Sequence, residues 1–388
     1  MPSVTNTLNG SSSNERWQTD QQTSGTATLS QTIVFQYYHQ YRVEFNYKSD
    51  SGSSPPIITY FEFGVEQSTT PGIPVWADAG STYHYQNPLK ASILNERWYS
   101  QNASGIILSP APITAVYYHQ YLVNFEYSVE GGGIGYSPPT INFTSFAHVN
   151  TTVANASVWV DYGTSYSYQS ILGGSTNTER WIATSIPSGN VVSSLVVFVN
   201  YQHQFYVTLL SAEPKGGSVS PQSGWYNASQ ALTLVASPMQ GWKFENWLGP
   251  YSGNTSSAML TVNSPVNETA VFYPGIIIKV SNGGYVVYNN ETESVVEPGT
   301  TATVYVPVGT NLSLSAHPSL FVYSFEGWSG ALSNKAEAIS MIVSSPIAIE
   351  ADFGCNCLVI GLLSGVVIIA ITVAAAFLTK RSKVPISQ

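Results

Sequence analysis

The triplet Glu-Arg-Trp returns three times, in "NERWQT" from Asn14, "NERWYS" from Asn95 and "TERWIA" from Thr178. A second motif keeps pace with it: "QYYHQYRVEFNY" begins at Gln36, "VYYHQYLVNFEY" at Val116 and "NYQHQFYVTLL" at Asn200. Between them, "WADAGSTYHY" at Trp76 matches "WVDYGTSYSY" at Trp159, and "SPP" recurs at Ser54 and Ser137. Separate motifs that recur in one order, about 82 residues apart, mean tandem modules rather than one large core. The length differences fall where "KSDSGSS" in one copy becomes "SVEGGGIGYS" in the next, which places them in loops.

Each module opens on strict alternation. Val43, Phe45 and Tyr47 share one face of a strand and Arg42, Glu44 and Asn46 the other; Val123, Phe125 and Tyr127 repeat the pattern. "ITAVYYHQY" and "LVVFVNYQHQF" run straight into the next opening strand, so consecutive modules are expected to share a continuous β-junction. Aromatics make up 13% of the chain, with 25 tyrosines, which suits a pleated, half-buried surface. The only cysteines are Cys355 and Cys357, so no disulfide framework staples the modules and each must hold its own core.

Two later modules diverge. Phe244-Glu245-Asn246-Trp247 and Phe325-Glu326-Gly327-Trp328 stand 81 residues apart, at the place of the earlier Glu-Arg-Trp. Residues 358–378, "LVIGLLSGVVIIAITVAAAFL", carry no charge over 21 positions. At ~1.5 Å per residue they reach ~30 Å, the thickness of a bilayer's hydrocarbon core. Lys380, Arg381 and Lys383 follow at once, so the preceding residues are expected outside and the tail inside.

The expected fold class is therefore all-β: tandem small β-sandwich or β-grasp-like modules followed by one C-terminal transmembrane helix. The expected segments are 1–40 (a partial repeat), 41–120, 121–204, 205–273 and 274–353 (modules), 358–378 (the helix) and 379–388 (a cytoplasmic tail). Residues 1–40 hold only the Glu-Arg-Trp strand and a closing strand, and "MPSVTNTLNGSSS" has no signal-peptide pattern. The missing half is expected upstream of Met1, or the chain is a remnant of a longer one.

Residues 205–353 resemble internalin B-repeat-like bacterial repeat modules, through "GGSVSPQSGWYN", "LTLVASPMQGWKFENW" and "AVFY". The last copy departs from that pattern in "GGYVVYNNETESVVEPG". Residues 1–204, with "YYHQY", "WxDxG" and "ERW", resemble repeats of archaeal surface proteins, some of them appended to thermopsin-like acid proteases. That resemblance implies an archaeal cell-surface protein.

Chemistry-bearing motifs are absent. There is no Asp-Thr-Gly, His-Glu-x-x-His, Gly-x-Ser-x-Gly or phosphate-binding loop. "EGGGIGYS" at Glu130 reads as a hairpin or Ω-loop between strands. A Glu-Arg pair beside a histidine suggests acid–base work, but adjacent strand residues face opposite ways and the set recurs in every early module. The reading is structural: Trp17, Trp98, Trp181, Trp247 and Trp328 plug cores, while Arg97 and Arg180 bond to a turn or stack on tyrosine. Asp78 and Asp161 read as turn formers ahead of Gly80 and Gly163. His39, His119 and His203 sit in strands, and His84, His148 and His317 are scattered, so no metal site, cofactor or catalytic residue is expected.

Only 9% of residues are charged, against ~25% in ordinary soluble domains, with a net charge of −9 and no basic stripe for nucleic acid. Asn-x-Ser/Thr sequons at Asn102, Asn142, Asn150, Asn155, Asn227, Asn254, Asn267, Asn290 and Asn311, besides Asn9, suit a glycosylated extracellular surface. The expected function is a non-enzymatic, single-pass membrane stalk or attachment protein, with surface-layer proteins or cell-surface glycans as partners. The alternatives are the C-terminal remnant of a membrane-bound thermopsin-like protease and a glycan-binding adhesin.

Overall fold

The computed structural model describes residues 3–50, 53–185, 188–290, 292–356, 361 and 367–376. Among the described residues strands dominate, and helix is found at 361 and 367–376. No helix among the described residues is long and apolar enough to cross a membrane. Ten of the 21 residues of the expected spanning segment 358–378, together with Cys357 and the tail 379–388, lie outside the described residues. The chain divides into two compact units, Met1–His203 and Gln204–Gln388, and passes from one to the other within the strand Leu195–Ser211.

In the first unit the opening strand Tyr38–Ser49 pairs antiparallel with Pro74–Asp78 and parallel with Ile113–Glu130. A second sheet runs Val65–Thr69, Ile58–Glu62, Thr82–Tyr85, Ser104–Ile106. Val43, Phe45, Ile58, Tyr85, Trp98 and Tyr117 close the core between the sheets. The next copy repeats the plan around Val123, Phe125, Ile141, Tyr168, Trp181 and Tyr201, with Ile113–Glu130 now as the opening strand.

That 18-residue strand explains how modules join without a linker. Its odd positions bury Ala115 and Tyr117 in one core and Val123 and Phe125 in the next. One tyrosine per module ties the parallel strands together. Tyr85 Oη lies 2.9 Å from Asn46 O and 2.7 Å from Ile113 O, so its one proton is shared between carbonyls of both strands. Tyr168 Oη repeats this with Glu126 O and Val197 O. Burial pushes both phenols above their ordinary range.

The second unit has its own two cores, around Phe205, Leu234, Trp247 and Phe272, and around Ile278, Leu314, Trp328 and Ile349. The strand Val266–Val280 serves both, pairing antiparallel with Trp242–Leu248 and Thr301–Tyr305 and parallel with Ile347–Cys355.

The Phe-x-x-Trp spacing would put the two rings on opposite faces of a regular strand. The register shifts between Phe244 and Asn246, and again between Phe325 and Gly327. One extra residue, Glu245 or Glu326, turns phenyl and indole into the same core, with ring centroids 5.5 Å apart in both copies. The Glu-Arg-Trp strands Glu15–Gln18 and Glu96–Tyr99 keep a regular register, so the divergent modules fill the corresponding place by a different device.

Candidate functional site

Strand pairing converts the two sequence motifs into one constellation. Glu15–Gln18 sets Trp17 opposite His39 and Arg16 opposite Gln40. Glu96–Tyr99 sets Trp98 opposite His119 and Arg97 opposite Gln120. Directly opposed residues share a face, so the tryptophan–histidine pair lies on one side and the arginine–glutamine pair on the other.

On the first side, indole and imidazole stack. The ring centroids of Trp17 and His39, Trp98 and His119, and Trp181 and His203 are 4.5, 4.2 and 4.5 Å apart, with planes within 7°. Each His Nε2 lies 2.7–2.8 Å from the carboxylate of its module's Glu15, Glu96 or Glu179. Tyr121 Oη donates to Glu96 at 3.0 Å. The histidine side chains are 34%, 10% and 4% exposed in chain order. The partial repeat thus leaves its stack open, and the third copy closes it.

The glycine run at Glu130 does the closing. Gly132 O accepts from Trp181 Nε1 at 3.1 Å, and Gly131 O lies 3.2 Å from His203 Nδ1. Gly133 has φ +92°, and a Cβ there would stand 2.7 Å from His203 Cε1. The loop offers carbonyl oxygens to the rings beneath it, the opposite polarity from a phosphate-binding loop.

On the second side a relay leaves each arginine. Arg16 Nε donates to Gln40 Oε1 at 2.7 Å, and Gln40 Nε2 donates to Asp78 Oδ1 at 2.9 Å. Arg97 Nε donates to Gln120 Oε1 at 2.9 Å, and Gln120 Nε2 to Asp161 Oδ1 at 2.9 Å. The guanidinium carbons sit 4.3 Å from the ring centroids of Trp76 and Trp159, and that of Arg97 sits 4.4 Å from Tyr99. Burial lowers the pKa of both arginines; Glu62 and Asp78 pull Arg16 back up. Arg180 lies in Glu179–Ala183, and burial lowers its pKa too.

The aspartates do more than turn the chain. Their main-chain oxygens do accept from Ser81 and Thr164 in the expected turns. Their carboxylates, however, grip a hairpin from the second sheet. Asp78 accepts from the amides of Phe63 (3.0 Å) and Gly64 (2.6 Å), and Asp161 from those of Phe146 (3.0 Å) and Ala147 (2.7 Å). Phe63, Phe146 and Ala147 hold φ of 53–60°, a conformation that disfavours side chains. The carboxylate compensates for that strain. Gln40 and Gln120, both fully buried, are the members that sequence reasoning passed over; their signal was the "HQ" that recurs in all three copies.

Trp98, Trp181, Trp247 and Trp328 are at most 6% exposed, while Trp17 is half-buried. Trp247 Nε1 and Trp328 Nε1 each donate to a carbonyl eight residues downstream, at Thr255 and Ala336. Among the described residues no group of three or more His, Cys, Asp or Glu is placed to hold a metal ion. Of the sequon asparagines, Asn102 and Asn150 have their amide nitrogens bonded to main-chain carbonyls. Asn142, Asn155, Asn254, Asn267 and Asn311 are exposed. Asn227 Oδ1 accepts from Gln204, and the side chain of Asn290 lies outside the description.

One carboxylate in the second unit stands apart. Glu268 is fully buried; one oxygen accepts from the Tyr251 amide, and Oε2 finds no partner among the described residues. Gly249 makes room for it, since a Cβ there would sit 2.6 Å from Oε2. Desolvation raises the Glu268 pKa, against the pull of the Tyr251 amide. A raised folded-state value means this group favours folding most below its unfolded pKa of about 4.5, and the benefit disappears as pH climbs through the folded value. Denaturant midpoints of the second unit are expected to fall as pH rises from 4 to 7, and Glu268→Gln is expected to flatten that fall. Parallel pH profiles for wild type and variant would show that the charge does not matter.

Residues 207–275 match the divergent InlB B-repeat domain. The match covers one module and no more. No curated protein matches the chain. Among solved structures, the Bacillus anthracis TIE protein is similar at 8% identity over 88% of this chain and 71% of its own, with a TM-score of 0.21. The open form of the pilus adhesin SpaC from Lactobacillus rhamnosus GG gives 10% identity over 88% of this chain and 47% of its own, with a TM-score of 0.18. A streptococcal ancillary pilin gives 6% over 81% and 99%, with a TM-score of 0.18. Likenesses this remote leave the role of the chain to be argued from its own residues.

Proposed function

We propose that the chain is a non-enzymatic cell-surface stalk or attachment protein, built of tandem β-modules and anchored in a membrane by residues 358–378. The observation that carries this reading is the repeated joint. At two successive junctions of the first unit an arginine, a glutamine and an aspartate link one module's tryptophan strand to the next module's hairpin. At the second of them a single strand runs through both cores. Such a joint resists swinging, which suits a spacer and serves no evident catalytic purpose. Modules at 41–120, 121–204, 205–273 and 274–353, after the partial repeat 1–40, belong to this reading.

The uncharged 21-residue segment and the basic residues after it support the anchor. Exposed sequons at Asn142, Asn155, Asn254, Asn267 and Asn311 support a glycosylated exterior. Desolvation also raises the Glu62 pKa, as it does that of Glu268, so both carboxyls favour folding more in acid. In cells expressing the full chain, the protein is expected to stay with membranes through alkaline carbonate extraction. External protease on intact cells is expected to remove all but a short C-terminal fragment. Recovery in the soluble fraction would end the anchored reading, and hydrolysis of protein by the purified chain at acid pH would end the non-enzymatic one.

A further inference from the structure

The two joints of the first unit share the arginine–glutamine–aspartate relay but differ at the residue before the gripped hairpin, and that difference opens a site. At the first joint Arg16 Nη2 forms an ion pair with Glu62 Oε1 at 3.1 Å. Glu62 precedes the Phe63–Gly64 hairpin that Asp78 grips; Ser145 holds the same place before Phe146–Ala147. Ser145 Oγ is occupied by Gln120 Nε2 at 2.9 Å. Arg97 therefore keeps its Nε bond to Gln120 and its aromatic neighbours, but among the described residues no carboxylate pairs with its terminal nitrogens. The nearby Asp161 carboxylate is already taken by Gln120, Phe146 and Ala147.

Arg97 also faces open space. It lines a groove of about 620 Å³ with Tyr99, Gln101 and Phe146, and an adjoining one of about 360 Å³ with Trp159 and Asn150. A guanidinium that is held by its Nε, flanked by rings and left without a carboxylate on its terminal nitrogens is a preformed receptor for one. The rings beside it offer flat apolar faces, and the exposed Gln101 offers an amide for hydroxyl groups.

We propose that the groove at Arg97 binds an acidic sugar, a hexuronate whose carboxylate takes the position that Glu62 occupies at Arg16. The site lies wholly within the first unit, so the proposal stands or falls independently of the membrane anchor.

The chain carries its own control. Ser145→Glu copies the Glu62 arrangement and supplies the missing carboxylate internally; Glu62→Ser copies the Ser145 arrangement and vacates Arg16. The detergent-solubilised full chain is titrated by calorimetry with oligogalacturonate, with its methyl-esterified form, and with acetate and a glutamate-ended peptide. Oligogalacturonate is expected to bind the wild type at one site. The esterified form is expected to bind at least about tenfold more weakly, from the loss of a charge-assisted hydrogen bond. Ser145→Glu, with unchanged near-ultraviolet dichroism, is expected to lose the binding, and Glu62→Ser to gain a second equivalent. The proposal is overturned if oligogalacturonate does not bind, if the esterified form binds equally, or if Ser145→Glu binds as before. Equal binding of the peptide or acetate overturns the sugar assignment. Should Ser145→Glu misfold, the second equivalent in Glu62→Ser decides, and its absence overturns the proposal.

Discussion

Trp181→Ala is expected to cost the first unit about 3–5 kcal/mol, the range for emptying a large aromatic site in a packed core. Trp181 is 1% exposed, lies over His203 and packs against Tyr136 with centroids 5.4 Å apart. Its Nε1 also holds Gly132 of the covering loop. Alanine would leave a cavity, strip one face of the imidazole and release the glycine run together. Trp17→Ala removes the same residue type from the same stack, but there the partner histidine is 34% exposed and the repeat is incomplete. Water can enter that site, so its loss is expected to stay near 1 kcal/mol. Urea unfolding of the two variants, followed by far-ultraviolet dichroism, separates the cases. Equal losses would mean that the tryptophans act through their own strands and not as core plugs.

Much of this was legible before any coordinates. Alternation at Val43, Phe45 and Tyr47 gives a strand because side chains alternate across a pleat, and the repeat distance shows that the same strand recurs. What stayed hidden depends on register. Glu96 and His119 are 23 residues apart in the chain, and only the pairing of Glu96–Tyr99 with Ile113–Glu130 brings them to 2.7 Å. The bulges at Glu245 and Glu326 were invisible for a related reason, since an inserted residue leaves no mark on composition. The hairpins at Phe63 and Phe146 escaped notice because neither carries the Asn-Gly or Asp-Gly pair that usually signals such a turn. An aspartate from 14–15 residues further on supplies locally what those residues would have provided.

Asp161→Ala is expected to be nearly as costly as the loss of Trp181, at about 3–5 kcal/mol, because it strands partners rather than emptying space. Asp161 is 7% exposed, and its carboxylate accepts from Gln120, Phe146 and Ala147. Without it, two amides held at positive φ lose the acceptor that offsets their strain, and Gln120, which also donates to Ser145, loses one of the two acceptors that aim it at Arg97. Asp161→Asn keeps one oxygen for Phe146 and Gln120 but turns an N–H₂ toward the Ala147 amide, so an intermediate loss of about 1–3 kcal/mol is expected. Hydrogen exchange reads the mechanism: the Phe146 and Ala147 amides should lose protection first, while Val123 and Phe125, in the strand that runs through the joint, stay protected. A residue whose work was confined to the turn with Thr164 would show neither effect, since that turn uses its main-chain oxygen, which alanine retains. A loss below about 1 kcal/mol with unchanged exchange at Phe146 would therefore return Asp161 to a turn former. It would also remove the clamp on which the proposed stiff spacing of the modules rests.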